Sequence, residues 1–406
     1  MKNPKSSVKK DSGIVLEVPG FVAGAVAAGL KKGGNKDLGI IFSEVPACAA
    51  GVFTTNQVQA APVLFDKERI KSGRCQAIVA NSGNANACTG KRGIEDAEAV
   101  ARSAATTLGI PEELVLVAST GVIGQRLNVS AIEAAIPRLA GTLSSTGLYD
   151  LAQAIMTTDT FPKAFSKQGG IGDKTFTVTG VAKGAGMILP DLATMLCFVC
   201  TDIAARSDLL GQALKDAVAT SFNTITVDGD TSTNDTVLLL ANGLSGLNLE
   251  EAACAAAFQK ILNEVLFALA IDIVRDAEGA TKLVSIQVKG TSSKADATTV
   301  AYTVANSPLV KTALFGEDAN WGRIIAAVGR AGVPISIDTI DIYFDDVCMV
   351  KDGQGCGSQA EEAATRVLKT DRFWITIDLK LGSEAATVHT CDLSTEYVRI
   401  NADYRS

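Results

Sequence analysis

Strands and helices interleaved along the whole chain predict a layered α+β or α/β architecture. Three observations carry that expectation. Apolar runs such as Leu38 to Val45 and Cys75 to Ala80 suit strands covered by a neighbouring layer. Between such runs lie stretches such as Ile94 to Leu108, whose apolar residues recur at helical spacing. No repeat and no low-complexity tract interrupts the alternation. At 406 residues the chain suggests roughly two or three domains, and it is long enough to bury a large core.

Taken in order, Gly13 to Val18 and Leu38 to Val45 read as strands. The small-residue stretch Gly20 to Leu30 lies between them and breaks at Lys31-Lys32-Gly33-Gly34-Asn35. The strand Cys75 to Ala80 runs into Asn81-Ser82-Gly83-Asn84-Ala85-Asn86-Ala87-Cys88-Thr89-Gly90-Lys91, a loop superficially similar to a phosphate-binding loop. It fails that test, because Ala85 stands five positions before Gly90 and Arg92 follows Lys91. Helices are expected at Ile94 to Leu108, Ser130 to Leu139 (interrupted by Pro137) and Leu148 to Met156. Strands are expected at Leu114 to Ala118, Lys174 to Val181 and Met195 to Val199. Ser207 suits the N-cap of a helix from Asp208 to Phe222, and Leu249 to Ala270 reads as a long helix. After the strand Leu283 to Val288, the polar break Lys289-Gly290-Thr291-Ser292-Ser293 marks a boundary that would open a subdomain over 290–406. Beyond it come helices at 295–305, 323–329 and 359–368 and strands at 335–344, 373–379 and 386–392.

Composition excludes several classes of function. The net charge of −7 argues against nucleic acid as a partner. An apolar share of 47% with only 5% aromatic residues fits the Ala- and Val-rich core of a cytoplasmic enzyme. The longest nearly apolar run, Phe21 to Leu30, is too short to cross a membrane, and the lysines at the N-terminus precede no apolar signal segment. Nine cysteines without an export signal read as reduced core residues. Cys197 and Cys200 have C-x-x-C spacing but lie inside an apolar run, which favours burial over zinc or redox chemistry. The acids of Thr226 to Thr236 do not reproduce a calcium loop, so a polar turn is expected there and no metal site.

The chemistry is expected at Lys183-Gly184-Ala185-Gly186-Met187-Ile188-Leu189-Pro190-Asp191-Leu192-Ala193-Thr194-Met195-Leu196. A glycine loop passes through a Pro-Asp turn into an apolar strand. A small residue followed by threonine at the mouth of such a strand is where a self-cleaving precursor would place its scissile bond. Attack of the Thr194 hydroxyl on the Ala193 carbonyl would free Thr194 as a new N-terminus. Its amine, with a pKa of about 7.7–8.0, would then serve as base for its own hydroxyl. On local sequence alone, the start of a strand is the better reading of Thr194. The chain has one histidine, His389, in a strand-like run, and no Gly-x-Ser-x-Gly elbow, so catalysis without imidazole is expected.

This stretch resembles the processing site of the ornithine acetyltransferase family, the bifunctional glutamate N-acetyltransferases of arginine biosynthesis. The likeness continues, in order, at Ala118-Ser119-Thr120-Gly121-Val122-Ile123-Gly124, Met156-Thr157-Thr158-Asp159-Thr160, Val274-Arg275-Asp276-Ala277-Glu278-Gly279-Ala280-Thr281-Lys282 and Asn401-Ala402-Asp403-Tyr404-Arg405-Ser406. The resemblance implies an α/β/β/α sandwich of the N-terminal-nucleophile type, cut between Ala193 and Thr194 into pieces 1–193 and 194–406. It implies Thr120 and Gly121 as the oxyanion hole and Thr157, Lys183, Thr194, Glu278, Asn401 and Ser406 as substrate contacts. Ser406 stands where the family often ends in threonine; either hydroxyl can donate. The implied reaction is ping-pong acetyl transfer from N²-acetylornithine to glutamate through acetyl-Thr194. No cofactor is implied, with acetyl-CoA as a further acetyl donor in bifunctional members, and the two pieces would associate as a heterotetramer. Two other readings stay open: a Thr-nucleophile aminopeptidase or amidase on the same scaffold, and a nucleotide binder using Gly184-Ala185-Gly186. For the latter, Leu189 occupies the third glycine's place and Pro190 follows it.

Overall fold

The computed structural model describes residues 16–189 and 195–403. Pro190, Asp191, Ala193, Thr194 and Ser406 therefore lie outside the described residues. The described residues divide into two compact units, one comprising residues up to Asn223 with Asp230–Ile273, the other Thr224–Gly229 with residues 274–403.

The first unit contains, in chain order, β1 (Phe21–Val26), β2 (Leu38–Phe53), α1 (Ala61–Arg69), β3 (Arg74–Asn84), α2 (Gly90–Leu108), β4 (Val115–Val122), α3 (Val129–Ala140), α4 (Leu148–Ala154), β5 (Lys163–Ile171), β6 (Lys174–Lys183), β7 (Leu196–Thr201), α5 (Ser207–Ala219), β8 (Thr236–Ala241) and α6 (Ala252–Arg275). Its strands form one sheet in the order β4-β3-β2-β8-β7-β6-β5, with β1 paired to β2. Strand β2 joins the two halves. Its first part pairs with β1 and β3, the register to β3 shifts between Phe42 and Ala47, and Cys48–Phe53 pairs with β8. A strand with such a bulge bends, and here the two halves turn face to face.

Period-two alternation sorts the side chains into layers. Ile40, Val79 and Val117 pack with Val100, Ala104, Ile132 and Ile136 of α2 and α3. Their neighbours Ile41, Ile78 and Leu116 face inward and share a core with Val181, Phe198, Leu238 and Leu240 of the other half. On the far side, Gly180 of β6 leaves room for Leu269 and Val265 of α6, and Phe176 meets Phe258 with ring centroids 6.0 Å apart. The first unit is thus an α/β/β/α sandwich, the architecture that the family resemblance implies.

The second unit holds β9 (Leu283–Thr291), α7 (Lys294–Ala305), α8 (Pro308–Phe315), α9 (Trp321–Gly329), β10 (Asp341–Phe344), β11 (Val347–Lys351), β12 (Gln354–Gly355), α10 (Ser358–Leu368), β13 (Arg372–Asp378), β14 (Glu384–Cys391) and α11 (Thr395–Asp403). Its sheet order is β12-β11-β10-β13-β9-β14. Val284, Ile286, Ile342, Ile375 and Val388 on one face share a core with α7, α8, α9 and α10.

Several sequence expectations need correction. Leu16 to Val18 form no strand, although Leu16 and Val18 are buried; the strand is Phe21–Val26, hidden by its small residues. Pro137 does not interrupt α3 but lies within it. Ser207 is the first residue of α5 rather than its cap, and extended Arg206 precedes it. The break at Lys289 to Ser293 falls inside the second unit, because β9 continues through Thr291 to pair with β14. Finally, α6 is long and apolar enough to cross a membrane by length and composition. Gln259, Lys260, Asn263 and Glu264 break its apolar run in the sequence. Its apolar side faces β6, while Glu264 pairs with Lys167 and Gln259 donates to the Ala213 carbonyl at 3.1 Å.

Candidate active site

Parallel pairing of β3 with β4 brings two glycine-containing strand ends together. Gly121 has φ +131°, and a Cβ there would stand 2.4 Å from the Gly83 carbonyl carbon and 2.6 Å from the Asn84 nitrogen. Only glycine fits such an approach. Around it the backbone is tied by polar side chains. Ser119 Oγ donates to Asn81 Oδ1 at 2.6 Å, and Asn81 Nδ2 donates to the Asn84 carbonyl at 3.0 Å. Thr120, at this strand end, is buried.

Lys183, the last residue of β6, is 2% exposed, and its Nζ lies 3.4 Å from Thr120 Oγ1. The structure therefore places Thr120, Gly121 and Lys183 together. Thr157 joins them through a residue to which the sequence reading gave no role. Asp159 Oδ2 accepts from the Thr157 N–H at 2.9 Å, and its Oδ1 accepts from the Gly184 N–H at 2.8 Å and from Lys163 Nζ at 2.6 Å. Both side chains of the Asp159–Lys163 pair are fully buried. Burial alone would raise the Asp159 pKa, but the charges of Lys163 and Lys183 outweigh it and hold the carboxyl well below its usual range. Lys31 is close enough to feel Asp159 and Lys183, and burial lowers its own pKa. Its Nζ donates to the Met156 carbonyl at 2.9 Å. One acid thus anchors both candidate substrate segments inside a locally cationic cluster, which suits a carboxylate ligand.

The nucleophile and the scissile peptide, Thr194 and Ala193, lie outside the described residues, but the residue after them does not. Met195 N–H donates to Asp235 Oδ1 at 3.0 Å, and its carbonyl accepts from the Thr236 N–H at 3.1 Å. Asp235 is fully buried, and burial pushes its carboxyl well above the usual range against the opposing pull of the Met195 N–H and the Lys183 charge. Among the described residues its Oδ2 has no hydrogen-bond partner. The stretch Thr226 to Thr236, expected as a hydrogen-bonded polar turn beside the pocket, contributes Asn234 and Asp235 as structural ties into this region.

Glu278 and Asn401 belong to the second unit. Asn401, on α11, donates from Nδ2 to Glu278 Oε2 at 2.7 Å and to the Tyr397 carbonyl at 3.0 Å. Tyr397 Oη donates to Asp228 Oδ2 at 3.2 Å. Gly279 lets α11 approach, since a Cβ there would stand 2.6 Å from the Tyr397 nitrogen. Ser406 lies outside the described residues. His389 sits in β14 with Nδ1 2.9 Å from Ser285 Oγ, and burial, with some help from Arg372, lowers its pKa to about 4. Cys197 and Cys200 are buried in β7, where burial raises both thiols.

Comparison with known proteins follows the same outline. The model of the ArgJ family matches residues 22–406. The arginine biosynthesis bifunctional protein ArgJ of Geobacter sulfurreducens is 53% identical over 393 residues, covering 96% of this chain and all of that one. Its counterpart from Syntrophotalea carbinolica is 54% identical, covering 97% of this chain and all of that one. Among solved structures, the ornithine acetyltransferase of Mycobacterium tuberculosis in complex with ornithine is 40% identical, covering 43% of this chain and 94% of that one with a TM-score of 0.40. The chain belongs to the ArgJ family.

Proposed function

We propose that this chain is a glutamate N-acetyltransferase that moves acetyl from N²-acetylornithine to glutamate, activated by cleavage between Ala193 and Thr194. The convergence of the Thr120–Gly121 strand end on buried Lys183 carries the reading. The arginine biosynthesis named in the full-length relatives supports it.

In the first half-reaction the neutral Thr194 amine takes the proton of its own hydroxyl, and the oxygen attacks the acetyl carbonyl. The tetrahedral oxyanion accepts from the Gly121 N–H and the Thr120 hydroxyl, donors of a kind worth about 3–4 kcal/mol each in the barrier. Collapse breaks the acetyl C–N bond, the Thr194 ammonium returns its proton to the departing amine, and ornithine leaves. Glutamate's amine then attacks the acetyl ester, and the Thr194 oxygen leaves and regains a proton. Lys183 pairs with the substrate α-carboxylate, while Glu278, held by Asn401, takes the side-chain ammonium of acetylornithine. Thr157 and Ser406 complete the substrate contacts. No cofactor is needed; acetyl-CoA serves as a second acetyl donor. The pieces 1–193 and 194–406 assemble as a cytoplasmic heterotetramer that acts on small molecules, not on nucleic acid or membrane.

Incubation with acetylornithine and glutamate should yield ornithine and N-acetylglutamate in equal amounts, with parallel double-reciprocal lines. Release of acetate faster than transfer would mark the chain as an amidase instead.

A further inference from the structure

Two adjacent residues ahead of β8 reach both halves of the proposed reaction centre. Asn234 is 5% exposed and uses Nδ2 twice, donating to the Ser119 carbonyl at 2.8 Å and to the Ala85 carbonyl at 2.7 Å. Its Oδ1 accepts from Thr233 Oγ1 at 2.6 Å, which fixes the orientation of the amide. The Ser119 carbonyl shares a peptide plane with the Thr120 nitrogen, so Asn234 restrains the strand end that presents Thr120 and Gly121. Asp235 holds the Met195 N–H at 3.0 Å, and the next backbone N–H, that of Thr236, holds the Met195 carbonyl. Met195 is bonded covalently to Thr194.

We infer that Asn234 and Asp235 are positioning residues that set the Thr194 nucleophile against the Thr120–Gly121 oxyanion donors, in self-cleavage and in acetyl transfer alike. The inference rests on the reading of Thr194 as nucleophile. Neither residue touches substrate in this scheme. Consecutive α-carbons are about 3.8 Å apart, so one dipeptide sets a separation that two independent loops would leave free to drift. Asn234 contributes two donors to two carbonyls, which neither Asp nor Ser can reproduce. Asp235 contributes an accepting oxygen, and its charge plays no part.

The test uses the full chain, with self-cleavage followed by intact mass and acetyl-enzyme formation followed in a single turnover. Asn234→Ala and Asp235→Leu should each slow both steps by about 100-fold, the penalty for a misplacement near 1 Å, with KM for glutamate unchanged. Asp235→Asn keeps an accepting oxygen and should recover both rates to within about 10-fold, the worth of one neutral hydrogen bond. If Asn234→Ala and Asp235→Leu cleave and transfer at the wild-type rate, the positioning role is overturned. It is equally overturned if Asp235→Asn is as slow as Asp235→Leu, which would mean that the carboxylate acts through its charge. Should Asp235→Leu not fold, Asn234→Ala and Asp235→Asn decide the matter. An active Thr194→Ala control would instead overturn the nucleophile itself, whatever the other variants do.

Discussion

Replacing Lys163 with methionine removes the positive partner of a fully buried carboxylate without changing much volume. Asp159 would keep the Thr157 and Gly184 N–H groups and the more distant charge of Lys183 but lose its direct ion pair. Breaking a buried pair on one side costs about 3–5 kcal/mol because a charge is left uncompensated. At about 2–4 °C per kcal/mol, that lowers Tm by roughly 6–20 °C. The pH dependence has a definite sign. In the wild type the folded pKa of Asp159 is depressed, so its stabilisation is present above the unfolded value of about 3.9 and is lost only in stronger acid. Without Lys163, burial raises that pKa, and the penalty is relieved as pH falls through the raised value. Calorimetry from pH 8 to pH 5 should therefore find the largest gap between variant and wild type at pH 8, narrowing with acid. Adding Asp159→Asn to Lys163→Met should recover part of the loss. A variant within about 2 °C of wild type at pH 8, or a gap that widens on acidification, would refute the reasoning.

Gly121→Ala would force a Cβ into the Gly83 carbonyl at 2.4 Å, and steady-state kinetics should find kcat lower by about 100–1,000-fold, as for loss of an oxyanion donor. Glu278→Gln should raise KM for N²-acetylornithine about 10–100-fold with kcat nearly intact, since a charge-assisted hydrogen bond to its side-chain ammonium is worth about 1.5–3 kcal/mol. His389→Gln should leave kcat/KM unchanged from pH 6 to pH 9. Its imidazole pKa is depressed to about 4 in the fold, so the stability it supports is present above about 6.5 and lost as pH falls toward 4. Thermal melts of His389→Gln should accordingly decline less than wild type between pH 7 and pH 5.

Elements with a strong period were legible in the sequence. The apolar run of β3, the helical spacing of α2 and the alternation of β6 all fell where expected, because each buries a continuous stripe or face. Strands without that pattern were not. β5 carries Lys167-Gln168-Gly169-Gly170 at the edge of its sheet, and β1 is built from small residues. The polar stretch before β8 masked its start, and α8 and α11 were passed over. For the site, Thr120, Gly121 and Lys183 could be named in advance through the family resemblance, since a Thr-Gly dipeptide alone reads as a turn and a lysine beside a glycine loop alone reads equally as a solvated charge. Asp159, Lys163, Asn234 and Asp235 could not, since their importance lies in hydrogen bonds to backbone remote in sequence. Asn234 meets Ser119 across 115 positions, a relation that no local spacing encodes.

The most direct test is intact mass spectrometry of the purified chain before and after exposure to acetylornithine. Two pieces should appear, the second beginning Thr194-Met195-Leu196, and only that piece should gain the mass of one acetyl group, which glutamate then removes. A fully active enzyme that stays in one uncut piece, or an acetyl group carried anywhere other than Thr194, would contradict the account.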